Sequence, residues 1–204
     1  MDLLETSLEL GKGTAWLRTG THLSPPKDPY IAISHVWSDG TGVGVKTAGS
    51  VNSCLFNFFA DLAKTLGCTA VWWDALSIPT EPKARSKALN KMHANCANAK
   101  YTVVHDNYLL DFEWKEDGSP CLALALSPWF TRGWTALELA MSTEVKVLFR
   151  GPKKGTYVIK DLDRHILAPG PGIVSRAHWV VPSLIQRLRK PCDNVGDLLA
   201  ILRP

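Results

Sequence analysis

Residues 30–37 have the sequence YIAISHVW, the strongest indication of the fold class in this chain. It is apolar on both faces and rich in residues that favour β-structure, as is typical of a strand buried inside a parallel sheet. The run SDGTGVG at residues 38–44 follows at once and ends the strand. Working outward, TAVWWD at residues 69–74 and YTVVH at residues 101–105 have the same character. The sequence therefore predicts three buried strands.

Amphipathic patterns occupy the two intervals between these strands. Residues 51–66 and 84–99 place their apolar side chains on one helical face, and Gly67 is a typical helix stop. Strand, helix, strand, helix, strand with short connections predicts a parallel sheet with right-handed crossovers. Beyond them we expect an acidic loop at 107–120, helices at 120–126 and 134–142, a fourth strand at 144–150, and helices at 177–189 and 194–202.

The predicted fold class is thus α/β, with helices flanking a parallel sheet. A length of 204 residues suits one domain. We expect this domain to span residues 1–204, with its core motifs at 30–150 and a C-terminal helical extension at 151–204.

Composition excludes several classes of function. The net charge of +4 is mild, and the basic residues form no dense run with aromatics, which argues against nucleic-acid binding. No apolar run approaches the roughly 18–20 residues of a membrane span, and the N-terminus lacks a secretory signal, so we expect a cytoplasmic protein with no membrane partner. The five cysteines are scattered without a Cys-x-x-Cys pair, so we expect neither a metal site nor a disulfide framework.

Three polar–aromatic clusters lie at or after predicted strand ends. They are SHVWSDG at residues 34–40, WWDALSIP at 72–79 and WFTRGWTALE at 129–138. In open parallel sheets, ligands bind beyond the carboxyl ends of the strands, where the loops converge. We therefore expect a functional site built from segments 30–40, 71–79 and 127–138.

Glu138 is the most informative single residue in these clusters. On the predicted helix it lies four positions after Trp134, on an otherwise apolar and aromatic face. A carboxylate in such a place is costly unless it is paired or used for chemistry. Two structural explanations stay open: a capping box with Thr135 and an ion pair with Arg132.

The other polar residues at strand ends have structural explanations too. Asp74 ends a buried strand, where a carboxylate often caps the following turn. His35 points towards the same edge and is more often a structural histidine than a functional one, and the same caution applies to His105 and Asp106. The glycine run at residues 40–44 is not a complete phosphate-binding motif.

Taken together, the three clusters resemble the HET (heterokaryon incompatibility) domain family. The family pattern Y-A-(I/L)-S-(Y/H)-V-W is matched by residues 30–37, W-(I/W)-D-A-(L/I)-(C/S)-I by residues 72–78, and W-F-x-R-x-W-T-x-x-E by residues 129–138. One departure is SIP at residues 77–79, where many members have C-I-N-Q, so this chain has no thiol there.

HET domains are in turn similar to TIR domains, which have a flavodoxin-like parallel sheet. A late TIR segment of the type S-x-W-C-x-x-E-L bears a glutamate, and WTALEL at residues 134–139 reproduces its spacing. In enzymatic TIR domains that glutamate is the catalytic residue for cleaving NAD at the nicotinamide–ribose bond. The resemblance therefore implies an NAD-cleaving domain in immunity-like or cell-death signalling, with Glu138 as the catalytic residue and NAD as substrate rather than cofactor.

The residue types in the clusters suit this chemistry. Aromatic faces can stack on a cationic pyridinium, and Arg132 can contact phosphate or hold the glutamate. Loop amides near residues 39–44 can receive the pyrophosphate. The expected substrate-binding residues are Ser34, His35, Trp37, Asp39, Asp74, Trp129, Arg132 and Trp134. Two other functions stay open: a non-catalytic module that self-associates through the 76–85 loop, and a nucleotide-binding regulator without turnover.

Overall fold

The computed structural model describes residues 17–18, 29–37, 51–78, 81–168, 170 and 175–189. The strands are β1 (Leu17–Arg18), β2 (Tyr30–His35), β3 (Ala70–Trp73), β4 (Tyr101–His105), β5 (Val145–Arg150) and β6 (Tyr157–Asp161). The helices are α1 (Ser53–Thr65), α2 (Asp74–Ser77), α3 (Pro82–Ala97), α4 (Asn107–Asp111), α5 (Ser119–Leu126), α6 (Gly133–Met141) and α7 (Ala177–Leu188), with a π-helical turn at Leu162–Leu167.

The strands form one six-stranded sheet in the order β1-β3-β2-β4-β5-β6. The four central strands are parallel, and the two edge strands, β1 and β6, run antiparallel to their neighbours. Without the two-residue β1, the order along the sheet follows the 2-1-3-4-5 pattern of flavodoxin-like folds, with the last strand reversed. The chain is therefore an α/β protein with a mostly parallel sheet flanked by helices.

Side chains of β2 alternate between the two faces of the sheet, as the pleat requires. Ile31 and Ile33 belong to a core cluster with α1, whereas Tyr30 and Ala32 belong to a cluster with α3. Both faces of β2 are buried, which explains why its sequence is apolar throughout. The same alternation directs Ser34 to the face that carries α3.

Local signals set the ends of α1. The side chain of Asn52 caps its start by accepting hydrogen bonds from the backbone N–H groups of Cys54 and Leu55. Gly67 follows its end with φ of 67°, a left-handed conformation that favours glycine.

The four predicted strands and five of the predicted helices are confirmed, all within two residues of their expected ends. The expected loop at 107–120 was wrong in part, because Asp106 caps the short helix α4 inside it. The prediction that residues 151–204 form a purely helical extension was wrong, because this segment includes the strand β6. The expected helix at 194–202 lies outside the described residues. Within the described part of the chain, no helix is long and apolar enough to cross a membrane.

Candidate functional site

A pocket of about 340 Å³ lies at the carboxyl end of β2, between α3 and the start of α6. In the sheet, β2 stands between β3 and β4, so this is the topological switch point at which open α/β sheets bind ligands. Its walls are formed by His35, Trp37, Arg85, Leu89, Met92, Arg132, Trp134, Thr135 and Glu138.

Glu138 lines this pocket, although the residue is only 6% exposed. Ser34 Oγ donates a hydrogen bond to Glu138 Oε2, and Trp129 Nε1 donates to Ser34 Oγ at 2.6 Å. Because an indole N–H can only donate, the serine hydroxyl accepts from Trp129 and turns its own proton towards the glutamate. A directed relay from the loop before α6, through the end of β2, thus fixes the carboxyl group.

Burial raises the pKa of Glu138 to about 7. The hydrogen bond from Ser34 and the nearby His35 lower this pKa, while the negative charge of Asp74 raises it further. The group therefore titrates near neutrality, as candidate acids and bases in functional sites often do.

Asp74 organises the opposite wall of the pocket. Its Oδ1 lies 2.6 Å from His35 Nε2 and accepts from the backbone N–H of Ala75 at 2.7 Å, while its Oδ2 accepts from Trp37 Nε1. Since a carboxylate only accepts, His35 Nε2 carries the hydrogen in this pair. One buried carboxylate thereby orients two pocket-lining side chains.

The start of α6 is fixed by Thr135, whose hydroxyl donates to the carbonyl oxygens of Trp129 and Arg132. The helix begins at Gly133, with Arg132 at the N-cap position. The capping-box explanation for Glu138 is therefore wrong, because Thr135 is not the N-cap and Glu138 lies in the second turn. Arg132 lines the same pocket, and the Glu138 carboxylate takes its hydrogen bond from Ser34.

Asp106 and His105 serve the fold. Asp106 Oδ1 accepts from the backbone N–H of Leu109, and its Oδ2 accepts from the backbone N–H of Trp129 at 2.9 Å. The ring of His105 packs edge-on against Phe59 with 5.2 Å between centroids. Asp106 therefore ties the loop before α6 to the end of β4.

The structure brings together five of the nine residues expected at the site. His35, Trp37, Arg132, Trp134 and Glu138 all line the pocket.

The other four are placed differently. Ser34 and Asp74 are buried and hold pocket-lining groups from behind. Trp129, expected to bind the substrate, is fully buried at 0% exposure, and its indole N–H donates to Ser34. Asp39 lies outside the described residues, as does the glycine run at 40–44.

Sequence reasoning missed the contribution of α3. Leu89 and Met92 were expected on the apolar face of the 84–99 helix, and Arg85 was expected at the end of the 76–85 self-association loop and among basic residues on a solvated face. Arg85, Leu89 and Met92 are spaced i, i+4, i+7 and so share one helical face. The sequence signal that could have revealed this was the position of Arg85 on the same helical face as the apolar residues Leu89 and Met92. The Arg85 guanidinium carbon lies 5.8 Å from the ring centroid of Trp37.

Residues 76–78 and 81–85 of the expected self-association loop are described. The Glu81 carboxylate caps α3 by accepting from the backbone N–H groups of Lys83 and Ala84. Lys83 is exposed, and Pro79 lies outside the described residues. Part of this loop thus has a structural task at the start of α3.

Comparison of the chain with protein-family models, curated proteins and solved structures gave no match. What the site does is therefore judged from its own residues and from the motif resemblance.

Proposed function

We propose that the protein is a HET-type, TIR-like domain that cleaves NAD at the nicotinamide–ribose bond in immunity-like or cell-death signalling, with Glu138 as the catalytic carboxylate. One observation supports this most. The glutamate that the motif resemblance selects is a buried, hydrogen-bonded carboxyl group on the wall of an aromatic pocket at the carboxyl end of β2. A mostly parallel sheet in flavodoxin-like order is compatible with the TIR resemblance.

The reaction asks for a carboxylate in such a place. When the bond between ribose C1′ and the pyridinium nitrogen breaks, its electron pair neutralises the nicotinamide, which leaves without needing an acid. Positive charge then develops on the ribose, and a fixed carboxylate stabilises it, as in glycoside hydrolysis. A water oxygen bonds to C1′ and its proton passes to solvent, giving ADP-ribose, nicotinamide and a proton.

The raised pKa of Glu138, about 7, suits a cationic substrate. Burial of the carboxyl group favours its neutral form. A pyridinium cation beside it favours the charged form, so binding ionises the group where the reaction needs it. The neutral nicotinamide product removes that stabilisation and is released more easily.

Two aromatic side chains are available to the cation. Trp37 is 47% exposed and Trp134 is 58% exposed, and both line the pocket. The face of an indole attracts a cation by about 0.5–2 kcal/mol. Trp37 is also held by Asp74, so its ring needs little reordering on binding.

The test is NAD consumption by purified, concentrated protein with and without a crowding agent that promotes assembly. Glu138→Gln keeps the size and hydrogen-bonding capacity of the side chain and is expected to lower the rate at least about 100-fold, the effect of removing one key electrostatic group. The matched control is Glu113→Gln, which removes an exposed carboxylate paired with Arg150 and leaves the rate unchanged.

Three results would contradict the proposal. Equal consumption by the wild-type protein and Glu138→Gln would remove Glu138 from the chemistry. Saturable NAD binding without any product, under every condition, would favour a nucleotide-binding regulator. Self-association through the 76–85 loop with no nucleotide binding would favour a non-catalytic signalling module.

A further inference from the structure

The charged residues that line the pocket differ in how deeply they are buried. Glu138 is buried, Arg85 is half-buried, and Arg132 is exposed, yet all three line the same cavity. Negative charge therefore lies at the inner end and positive charge towards the opening. A complementary ligand has a cationic group that enters first and an anionic group that follows it.

Arg85 is held in place before any ligand arrives. It lies on the same face of α3 as Leu89 and Met92, which anchor that face against the core. Its guanidinium carbon lies 5.8 Å from the ring centroid of Trp37, and Trp37 donates to buried Asp74. A contact with the face of an indole engages the charge of the guanidinium and does not need its N–H donors to reach an acceptor atom, so these donors stay available to an anion.

The start of α6 adds a second source of positive potential. Arg132 occupies the N-cap position, and an arginine side chain has no acceptor with which to cap the first N–H groups of the helix. Those N–H groups and the helix dipole favour an anion at this end. A Cβ built on Gly133 would meet no described atom within 4 Å, so there is open space beside the first turn.

We propose that Arg85, Arg132 and the first turn of α6 form a phosphate subsite for a nucleotide with a positively charged base. The base and ribose lie against Glu138 and the indoles, and the 5′-phosphate of that same ribose contacts the two guanidinium groups. The volume of about 340 Å³ is at the lower end of the range for small-molecule sites, which suits one nucleotide unit. The identity of the base rests on the proposed function, whereas the phosphate subsite rests on the three positive groups.

The test is a binding titration that compares nicotinamide mononucleotide with nicotinamide riboside, which differ only in the phosphate. Quenching of tryptophan fluorescence reports binding, because Trp37 and Trp134 line the pocket. The wild-type protein is expected to bind the mononucleotide at least about 10-fold more tightly, as charge-assisted hydrogen bonds to phosphate would give.

Two variants should remove this preference. Arg85→Met keeps the aliphatic stem and loses the charge, so mononucleotide binding falls to the level of the riboside, whose own binding is unchanged. Gly133→Asp places a carboxylate in the open space, where the helix N-terminus also stabilises it, and so competes with the phosphate without harming the fold. Arg164→Met is the control, since Arg164 is exposed on the π-helical turn and outside the pocket.

The outcomes separate the two proposals. Equal binding of the two ligands, binding of neither, or equal weakening of both by Arg85→Met would overturn the phosphate subsite. NAD cleavage without phosphate preference would leave the proposed function standing and reject the subsite. Phosphate-dependent binding without cleavage of NAD or of the mononucleotide would reject the proposed function and support the subsite.

Discussion

Glu138 and Asp161 are both buried carboxyl residues, yet their surroundings shift their pKa values in opposite directions. Glu138 is 6% exposed and Asp161 is 7% exposed. Burial raises the pKa of Glu138 to about 7, and its hydrogen-bond donor is the neutral hydroxyl of Ser34. Burial also raises the pKa of Asp161, but Lys146 Nζ at 2.8 Å and the backbone N–H of Arg164 outweigh it, and the pKa of Asp161 is lowered.

The difference separates a structural carboxylate from one that is available for chemistry. Asp161 lies where β6 meets the π-helical turn, and the fold itself supplies its cation. Glu138 lines a cavity, and among the described residues its carboxyl group accepts a hydrogen bond from the neutral hydroxyl of Ser34 at the end of β2. Burial therefore disfavours its charged form, and under the proposed function the cationic substrate offsets that cost.

The largest effect on stability is expected from Glu138→Gln. A pKa raised from 4.5 to about 7 in the folded protein means that ionisation costs folding free energy. The wild-type protein and the variant should have the same free energy of unfolding below pH 4.5. As the pH rises through about 7, the variant should become more stable than the wild type by up to roughly 3 kcal/mol. Urea unfolding at pH 5 and pH 8 measures this difference. If the stability difference between the wild type and the variant were the same at pH 5 and pH 8, the carboxyl group would not be desolvated.

Asp161→Asn should act in the opposite sense. It removes the nearest carboxylate partner of the partly buried Lys146, which keeps Glu144 at 3.5 Å and the ring of Tyr101, and this should cost about 2 kcal/mol at neutral pH. Because the pKa of Asp161 is lowered from 3.8, this stabilisation is present above pH 3.8 and is lost as the pH falls below it. The same urea titrations at pH 7 and pH 3 test this. A variant as stable as the wild type at pH 7 would show that the ion pair of Asp161 does not stabilise the fold. The proposed NAD cleavage should be unaffected.

Much of the fold could be predicted because its strands are buried on both faces. β2 is apolar along its whole length, so position alone identifies it as a central strand. β6 could not be predicted, since the run YVIKD is half-exposed and is a strand only through its pairing with β5.

Part of the site could be predicted, because the segments that follow parallel strands converge at the same edge of the sheet. Glu138, His35 and Trp37 meet for that reason. The role of Ser34 could not be foreseen, because it depends on a side-chain contact with Trp129 across 95 positions of sequence. Arg85 was missed because periodicity shows that a helix has a buried face and does not show which part of that face borders a cavity.

The smallest and most discriminating effect is expected from Ser34→Ala. The Ser34 hydroxyl lowers the pKa of Glu138, so its loss should raise that pKa further, by about one unit for a hydrogen bond of about 1 kcal/mol. NMR of the Glu138 side-chain carboxyl measures the shift directly, and the acid limb of the pH profile of NAD cleavage should move to higher pH by the same amount. The control is Ser142→Ala, because the Ser142 hydroxyl donates to the backbone carbonyl of Glu138 at 2.6 Å rather than to its carboxyl group. Both variants remove a buried serine hydroxyl that contacts the same residue. A shift in Ser34→Ala alone would assign the tuning of Glu138 to the relay, whereas equal shifts in both would attribute it to the packing of α6.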